Sequence, residues 1–178
     1  MRKLANSPAS PGIRASVIAG VDSIEHGSLL DEDTAVLMVK KGTWLVPTLY
    51  VVEEAVESGA GRGMTSVMVE KGRVLLKLRR AGFELAVRHR VRMVYGVDAE
   101  PEVAPKEFDA LVRWGLNPLL AIQSATINAA EMLGIQTGTI EPGKFADIIA
   151  VDGDPLQDIR TMERVRFVMK GGEVVKAL

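Results

Sequence analysis

The stretch GVDSIEHG, at residues 20–27, carries a short strand that is followed directly by a histidine and a glycine. The residues before it, 13–19, are predicted to form a short helix that ends at Gly20, so that the strand covers residues 21–25. A helix that leads into a buried strand is typical of a parallel sheet, because parallel neighbours need a long connection that covers the sheet. The stretch therefore predicts an α/β fold with His26 at the carboxyl end of a strand.

The same alternation continues towards the C-terminus. Apolar spacing, acidic first turns, proline starts and glycine stops indicate further helices, and short apolar runs between them indicate strands. The predicted helices cover residues 31–41, 64–89, 105–115 and 117–134, and the predicted strands cover residues 44–48 and 91–95. This alternation fits either a (β/α)₈ barrel or a doubly wound sheet.

The character of the sequence changes beyond Gly134. A Glu-Pro-Gly-Lys turn precedes a short strand, and two further strands are joined by Gly171-Gly172, which is a strong hairpin signal. These three strands are predicted at residues 147–151, 164–170 and 173–176. We therefore divide the chain into a partial barrel, residues 1–136, and the strands of a small β domain, residues 137–178.

Composition argues against several classes of function. The chain has 178 residues, 47% of them hydrophobic, a formal net charge of −1 and no cysteine. The balanced charge gives no long-range field for nucleic acid or an anionic membrane, and the lack of cysteine excludes disulfides and thiolate metal sites. We expect no export signal, no membrane anchor and a cytoplasmic location, with a small molecule or another subunit as the partner.

Basic residues are frequent around the longest predicted helix, where they could suggest a nucleic-acid surface. They are spread round the helix, however, and no aromatic residues interleave with them. We interpret the set as a solvated helix face, and His89 at the helix end as a surface residue favoured by the helix dipole. The set comprises Lys71, Arg73, Lys77, Arg79, Arg80, Arg88, Arg90 and Arg92.

Two side chains with metal-binding chemistry lie just after predicted strands. His26 follows the strand at residues 21–25, and Asp98 follows the strand at residues 91–95 through Gly96-Val97. In a parallel barrel the carboxyl ends of the strands form one mouth, where a histidine could bind a metal and a carboxylate could bind metal or take a proton from bound water. Spacing alone leaves open a hydrogen-bonded histidine and a helix-capping aspartate.

A family resemblance rests on the succession of these segments. GVDSIEHG, then Val46-Pro47-Thr48, then YGVDA at residues 95–99 resemble the sixth, seventh and eighth barrel strands of the amidohydrolase superfamily. The imidazolonepropionase and Xaa-Pro dipeptidase-like branch is the most similar. The resemblance continues to the Glu-Pro-Gly-Lys-x-Ala-Asp turn at residues 141–147, and covers the C-terminal part of the family's sequence. It implies the last strands, about five to eight, of a (β/α)₈ TIM-type barrel, followed by strands of a small β-sandwich domain.

The resemblance also implies a reaction. Members hydrolyse carbon–nitrogen bonds in amide, peptide-like or cyclic amide substrates with water activated on one or two divalent metals, for which we expect zinc. His26 matches the metal-site histidine of the sixth strand. Asp98 matches the aspartate of the eighth strand, which binds metal and moves a proton to the leaving nitrogen. A small amide or dipeptide-like substrate is implied, with Thr48 and Tyr50 as candidates to line its site.

The sequence departs from the family pattern in its metal ligands. The family also uses a His-x-His motif after the first strand, often a carboxylated lysine on the fourth, and a histidine on the fifth. This chain has two histidines in all, and residues 6–10 hold none where the fifth-strand histidine is expected. Since a catalytic zinc takes about three protein ligands, we expect this chain alone to be weak or inactive.

Two interpretations follow from these departures. The chain is either part of an enzyme whose N-terminal half supplies the remaining ligands, or a non-catalytic binding or scaffold module derived from a half-barrel. A barrel leaves no strand edge unpaired, whereas a few strands would expose long edges. We therefore expect pairing with an N-terminal half or formation of a homo-oligomer.

Overall fold

Three short parallel strands form the centre of the N-terminal part. The computed structural model describes residues 2–7 and 9–177, and in it β1 (Leu4–Asn6), β2 (Ser23–Glu25) and β3 (Trp44–Val46) lie in the order β1-β2-β3. The register places Ile24 of β2 between Ala5 and Leu45. Ile24 and Leu45 are buried, as expected for a parallel sheet whose faces are covered by helices.

Helices follow the strands in the predicted alternation. They are α1 (Ser10–Ile18), α2 (Glu32–Lys41), α3 (Leu49–Glu57), α4 (Ser66–Arg88), α5 (Lys106–Arg113), α6 (Pro118–Ala125) and α7 (Ile127–Leu133). Single 3₁₀ turns occur at Gly59–Arg62, Pro101–Val103 and Ile159–Glu163. Helix α2 has its predicted ends: the Asp31 carboxylate accepts a hydrogen bond from the Thr34 N–H at 2.8 Å, and Gly42 ends the helix in the left-handed conformation.

Two predicted elements differ from the sequence interpretation. The segment at residues 91–95 lies beside β3, but its regular pairing is limited to one parallel bridge between Met93 and Leu45. The single helix predicted for residues 117–134 is two helices, α6 and α7, separated at Thr126. The Thr126 hydroxyl donates to the carbonyl of Ile122 at 2.9 Å, which is the kind of side-chain bond that bends or interrupts a helix.

The second sheet is antiparallel and C-terminal. Its strands are β4 (Ile148–Val151), β5 (Val165–Lys170) and β6 (Glu173–Lys176), in that order. The predicted hairpin between β5 and β6 is confirmed: Gly171 and Gly172 both have positive φ, 57° and 89°, as a tight hairpin turn requires.

The C-terminal residues contribute to the main core. Ile159 and Met162, from the 3₁₀ turn before β5, are buried in the cluster that also contains Phe108 and Leu111 of α5. Among the described residues no helix has both the length and the apolar content needed to cross a bilayer. The domain boundary after residue 136 stays a prediction.

Candidate active site

Three of the predicted site residues meet at the carboxyl ends of the sheet. His26 follows β2, Thr48 follows β3 through Pro47, and Asp98 follows the extended segment beside β3. The Nε2 atom of His26 lies 3.9 Å from Oδ2 of Asp98, and its Nδ1 atom lies 2.6 Å from Oγ1 of Thr48. The Asp98 side chain is 71% exposed and that of His26 is 21% exposed, so the pair lies at the open rim of the sheet.

The backbone is strained at the same three residues. His26, Thr48 and Asp98 have φ values of 67°, 49° and 56°, in the left-handed region that residues other than glycine rarely occupy. Of the described residues, only Arg90 shares this property among non-glycines. For the β-branched Thr48 the conformation is especially unusual. Strain of this kind persists only where surrounding contacts impose it, and it clusters at functional sites.

Asn6 is the first residue of the segment at residues 6–10, in which the family resemblance leads us to expect the fifth-strand histidine. It is the last residue of β1, and its Nδ2 atom lies 3.4 Å from Nε2 of His26. A neutral amide thus reaches the same nitrogen that faces Asp98. Because an amide nitrogen only donates hydrogen bonds, it complements an unprotonated Nε2 but offers that position no metal-binding nitrogen.

The His26 and Asp98 pair fits part of a metal site. A histidine nitrogen and a carboxylate oxygen bound to the same tetrahedral zinc ion, each about 2.0–2.2 Å from it, lie about 3.3–3.6 Å apart. The observed separation of 3.9 Å is a few tenths of an ångström longer, so a small movement of the exposed Asp98 side chain would bring the two atoms to ligand spacing. In the part of the chain that the structure describes, no group of three or more histidine, cysteine, aspartate or glutamate side chains is placed to hold a metal. The pair therefore offers two ligands and does not form a complete site.

The structure corrects the interpretation of one basic residue. Arg79 was predicted to lie on a solvated helix face, but it is only 6% exposed and points from α4 into the strand-end loops. Its Nη1 atom donates to Oγ of Ser28 at 2.9 Å. Its Nη2 atom donates to the carbonyl oxygen of Thr48 at 2.9 Å, to Oγ1 of the same residue at 3.2 Å, and to the carbonyl of Pro47. Burial lowers the pKa of Arg79, although an arginine remains charged.

A buried carboxylate holds the opposite side of the same loop. Glu107, on α5, is fully buried and accepts hydrogen bonds from the backbone N–H groups of Leu49 at 2.8 Å and Tyr50 at 2.7 Å. These bonds cap α3, since the side chain of its N-cap residue, Thr48, makes no capping bond. Burial raises the pKa of Glu107 to about 7, against the opposing effects of the two N–H groups and of Arg79.

Neither buried charge was identified from the sequence as part of the site. Arg79 lies among similar basic residues on α4, so nothing local distinguishes it. Glu107 did carry a signal, because it precedes the buried Ala110 and Leu111 by three and four residues and therefore shares their helix face. An acidic residue on an apolar face indicates a charge that is held by partners inside the protein.

The two predicted substrate-lining residues have different surroundings. Thr48 is buried, and its hydroxyl contacts His26. Tyr50 is the second residue of α3 and is half-buried; its hydroxyl lies 3.3 Å from Nζ of Lys106, and that ammonium lies 5.4 Å from the centroid of the Tyr50 ring. A substrate-lining role for either residue stays a prediction.

Comparison with known proteins places these features in a family context. A sequence model of the amidohydrolase family matches residues 10–175. Ochratoxinase of Aspergillus niger is 34% identical over 174 residues, which cover 93% of this chain and 36% of that protein. An uncharacterized protein of Mycobacterium tuberculosis is 32% identical over 171 residues, 92% of this chain and 44% of that protein.

Solved structures give the same picture. The crystal structure of a Xaa-Pro dipeptidase with bound methionine superposes with a TM-score of 0.90 at 33% identity, covering 99% of this chain and 45% of that one. The crystal structure of A. niger ochratoxinase gives 0.87 at 32% identity, covering 98% and 41%. The chain thus spans less than half the length of these relatives.

Proposed function

The chain belongs to the amidohydrolase family, and we propose that it forms the His26 and Asp98 side of a metal-dependent hydrolase that cleaves carbon–nitrogen bonds. The observation that carries the proposal is the approach of Nε2 of His26 to the Asp98 carboxylate, 3.9 Å apart, at the carboxyl ends of parallel strands. Active sites of barrel enzymes lie at this end of the sheet.

Each residue of the pair has a defined task in the proposed reaction. Nε2 of His26 and the carboxylate of Asp98 would hold a divalent metal, for which we expect zinc. When bound, such an ion polarises the scissile carbonyl and lowers the pKa of water to near neutrality. Asp98, whose carboxylate is exposed, would accept a proton from water and deliver it to the leaving nitrogen. His26 is oriented by its contact with Thr48.

The substrate we propose is a small-molecule amide or a dipeptide. Relatives that match over nearly all of this chain carry the names ochratoxinase and Xaa-Pro dipeptidase. Tyr50, at the start of α3 beside the strand ends, is our candidate for contacting the substrate, together with Thr48.

The remaining ligands must come from other barrel strands. A catalytic zinc takes about three protein ligands, and the described residues offer two that converge. We therefore propose that the site is completed by a segment equivalent to the N-terminal half of the relatives, and that this chain alone binds metal weakly.

Complementation tests this proposal directly. The chain would be co-expressed with the part of the Xaa-Pro dipeptidase relative that it does not cover, and hydrolysis of Xaa-Pro dipeptides and of ochratoxin would be followed with added zinc. We expect hydrolysis that requires both parts, stops with EDTA and returns with zinc. His26→Ala and Asp98→Asn should each lower the rate by about 10²-fold or more.

His89→Ala is the matched control, because His89 lies at the far end of α4 and contacts Glu32 rather than the strand ends. A folded complex with no hydrolysis, and with a melting temperature indifferent to EDTA, would contradict the proposal. That outcome would favour the alternative of a non-catalytic binding or scaffold module.

A further inference from the structure

Two side chains of opposite charge, Arg79 and Glu107, hydrogen-bond to the loop after β3 from its two sides. The guanidinium of Arg79 donates hydrogen bonds to the carbonyl oxygens of Pro47 and Thr48. The carboxylate of Glu107 accepts hydrogen bonds from the N–H groups of Leu49 and Tyr50. The positive guanidinium thus contacts the negative ends of two backbone dipoles, and the negative carboxylate contacts the positive ends of two others. Four consecutive residues are fixed in this way, including Thr48 with its left-handed backbone.

Arg79 also connects this loop to the one before it. Its Nη1 atom donates a hydrogen bond to Ser28, two residues beyond His26, and its Nη2 atom donates to the carbonyl oxygen of Thr48. The two nitrogens of one planar guanidinium therefore set the distance between the ends of β2 and β3. A lysine has one nitrogen on a flexible stem and could not keep both contacts in a fixed geometry.

The contacts of the Thr48 hydroxyl favour one position for the proton on the His26 ring. Oγ1 of Thr48 donates to the carbonyl of Pro47 at 2.8 Å and accepts from Arg79 at 3.2 Å. A hydroxyl has a single hydrogen, so the 2.6 Å contact with Nδ1 of His26 is a hydrogen bond when Nδ1 is the donor. Nε2 is then left with a free lone pair, which the Asn6 amide faces at 3.4 Å.

We propose that Arg79 is a positioning residue that acts through Thr48, with Glu107 holding the loop from the other side, to fix His26 as its Nδ1–H tautomer. The unprotonated Nε2 is thereby presented towards Asp98, in the form that a metal or an N–H donor requires. The use of that lone pair for metal binding rests on the proposed function. The tautomer itself is a property of this chain and needs neither metal nor substrate.

Ring-nitrogen NMR tests the proposal on the ¹⁵N-labelled chain. With only two histidines, His26 and His89, long-range ¹H–¹⁵N spectra at a pH where both rings are neutral can be assigned by His89→Ala. We expect His26 to show a protonated Nδ1 and a bare Nε2. Thr48→Val, which keeps the branched shape and removes the hydroxyl, should convert this to a mixture of tautomers, and Thr48→Ser should restore it.

Variants of the two buried charges test the longer connection. Arg79→Lys keeps a positive charge but should give the same mixture of tautomers, and Glu107→Gln should change the spectrum in the same direction. Arg80→Met, on the exposed side of α4, is the matched control and should leave His26 unchanged. The amide spectrum of each variant reports whether it folds.

The outcomes separate this inference from the proposed function. A folded Arg79→Lys chain that keeps a pure Nδ1–H ring would overturn the role of Arg79. If Arg79→Lys does not fold, the Thr48 pair still decides, because an unchanged ring in Thr48→Val overturns the link to His26. In the complemented protein Thr48→Val should weaken zinc binding by about 10–100-fold. Failure of hydrolysis with the wild-type tautomer intact would remove the proposed function and leave the inference standing.

Discussion

Arg79 and Glu107 are buried charges whose partners are mainly backbone groups. A charge removed from water is costly unless it is paired or hydrogen-bonded, and here carbonyls and N–H groups of the loop after β3 provide the bonds. These bonds stabilise a conformation that Thr48 would otherwise avoid, since a left-handed backbone costs about 1–2 kcal/mol for an L-residue. The hydrogen bonds that these two side chains make thus offset the cost of the strained backbone at the same site.

Glu107 gives the chain a predictable pH dependence of stability. Its pKa is raised from 4.5 to about 7 by burial, Arg79 acting to lower it and Glu53 to raise it. A folded-state pKa above the unfolded one means that the folded state holds the proton more tightly. The stability that Glu107 contributes through this pKa difference is therefore fully present below about pH 4.5, and it is lost as the pH rises through about 7.

We expect Glu107→Gln to flatten this profile. Between pH 5 and 8 the wild-type chain should lose on the order of 3 kcal/mol more stability than the variant. Urea unfolding at several pH values measures the difference, with Glu102→Gln, an exposed change nearby, as the control. An equally steep fall in Glu107→Gln would show that another group is responsible.

At the residue scale the convergence of His26 and Asp98 could be predicted from the sequence. Each comes within a few residues of the end of a predicted strand, and strand ends of a parallel sheet converge. Their role as site residues stays a prediction. Arg79 and Glu107 could not be placed there, because their partners are 31 and 58 residues distant in the chain for the bonds to Thr48 and Leu49. Such contacts depend on how the helices pack, which local patterns do not specify.

Among the elements, α3 shows why one helix escaped prediction. In its sequence, LYVVEEAVE, the first leucine is followed by an aromatic and two β-branched residues, which favour a strand as much as a helix. The N-terminus of α3 also has no capping side chain of its own. The cap is Glu107 of α5, which is distant in the sequence, so no local pattern marks the start of the helix. Helix α2, by contrast, carries its own caps at Asp31 and Gly42 and was predicted closely.

Helix α4 reaches the strand-end loops because of a close contact at Gly82. A Cβ atom at this position would lie 3.0 Å from the backbone nitrogen of Leu30 and 3.3 Å from its carbonyl oxygen. The missing side chain lets α4 approach the loop after β2, one turn from Arg79. The bond from Arg79 to Ser28 depends on this approach.

We expect Gly82→Ala to destabilise the chain although alanine is the better helix former. The intrinsic preference of about 1 kcal/mol should be exceeded by the overpacking, which typically costs about 1–3 kcal/mol, leaving a net loss of about 1 kcal/mol. Chemical unfolding measures the change. Ala81→Gly, at an exposed neighbouring position, calibrates the intrinsic helix preference in this host. A Gly82→Ala chain more stable than wild type would refute the close contact.

The whole molecule is the C-terminal part of a barrel with an attached antiparallel sheet, as the sequence predicted. Alternating helices and strands fixed the class, and the succession of motifs distinguished a barrel from a doubly wound sheet. The sequence did not predict that Ile159 and Met162 of the C-terminal part lie in the main hydrophobic core, because their burial depends on contact with α5.

An open sheet edge predicts self-association of the isolated chain. Among residues 2–7 and 9–177 no strand pairs with the outer side of β1, where Leu4 is 62% exposed. Unpaired edges with apolar side chains promote pairing between chains. Sedimentation velocity should show an average mass that rises with concentration, and Leu4→Lys should shift the chain towards monomer.

Leu156→Lys provides the control, because Leu156 is similarly exposed but lies in a turn away from any strand edge. A chain that sediments as a monomer at every concentration would exclude association through β1. Association that both substitutions reduce equally would point to general apolar contact rather than to the edge.

The hydrogen bonds from Arg79 and Glu107 to residues 47–50 have a consequence for the thermodynamics of ligand binding. The loop is already ordered in the folded chain. Binding of a ligand at His26 therefore does not include the entropic cost of ordering this loop. Binding would then show little of the entropic loss that accompanies loop closure. If the ligand is the metal ion of the proposed function, the rate of binding would depend on how fast that ion loses its hydration water, and not on the time that a flexible loop needs to reach the bound conformation.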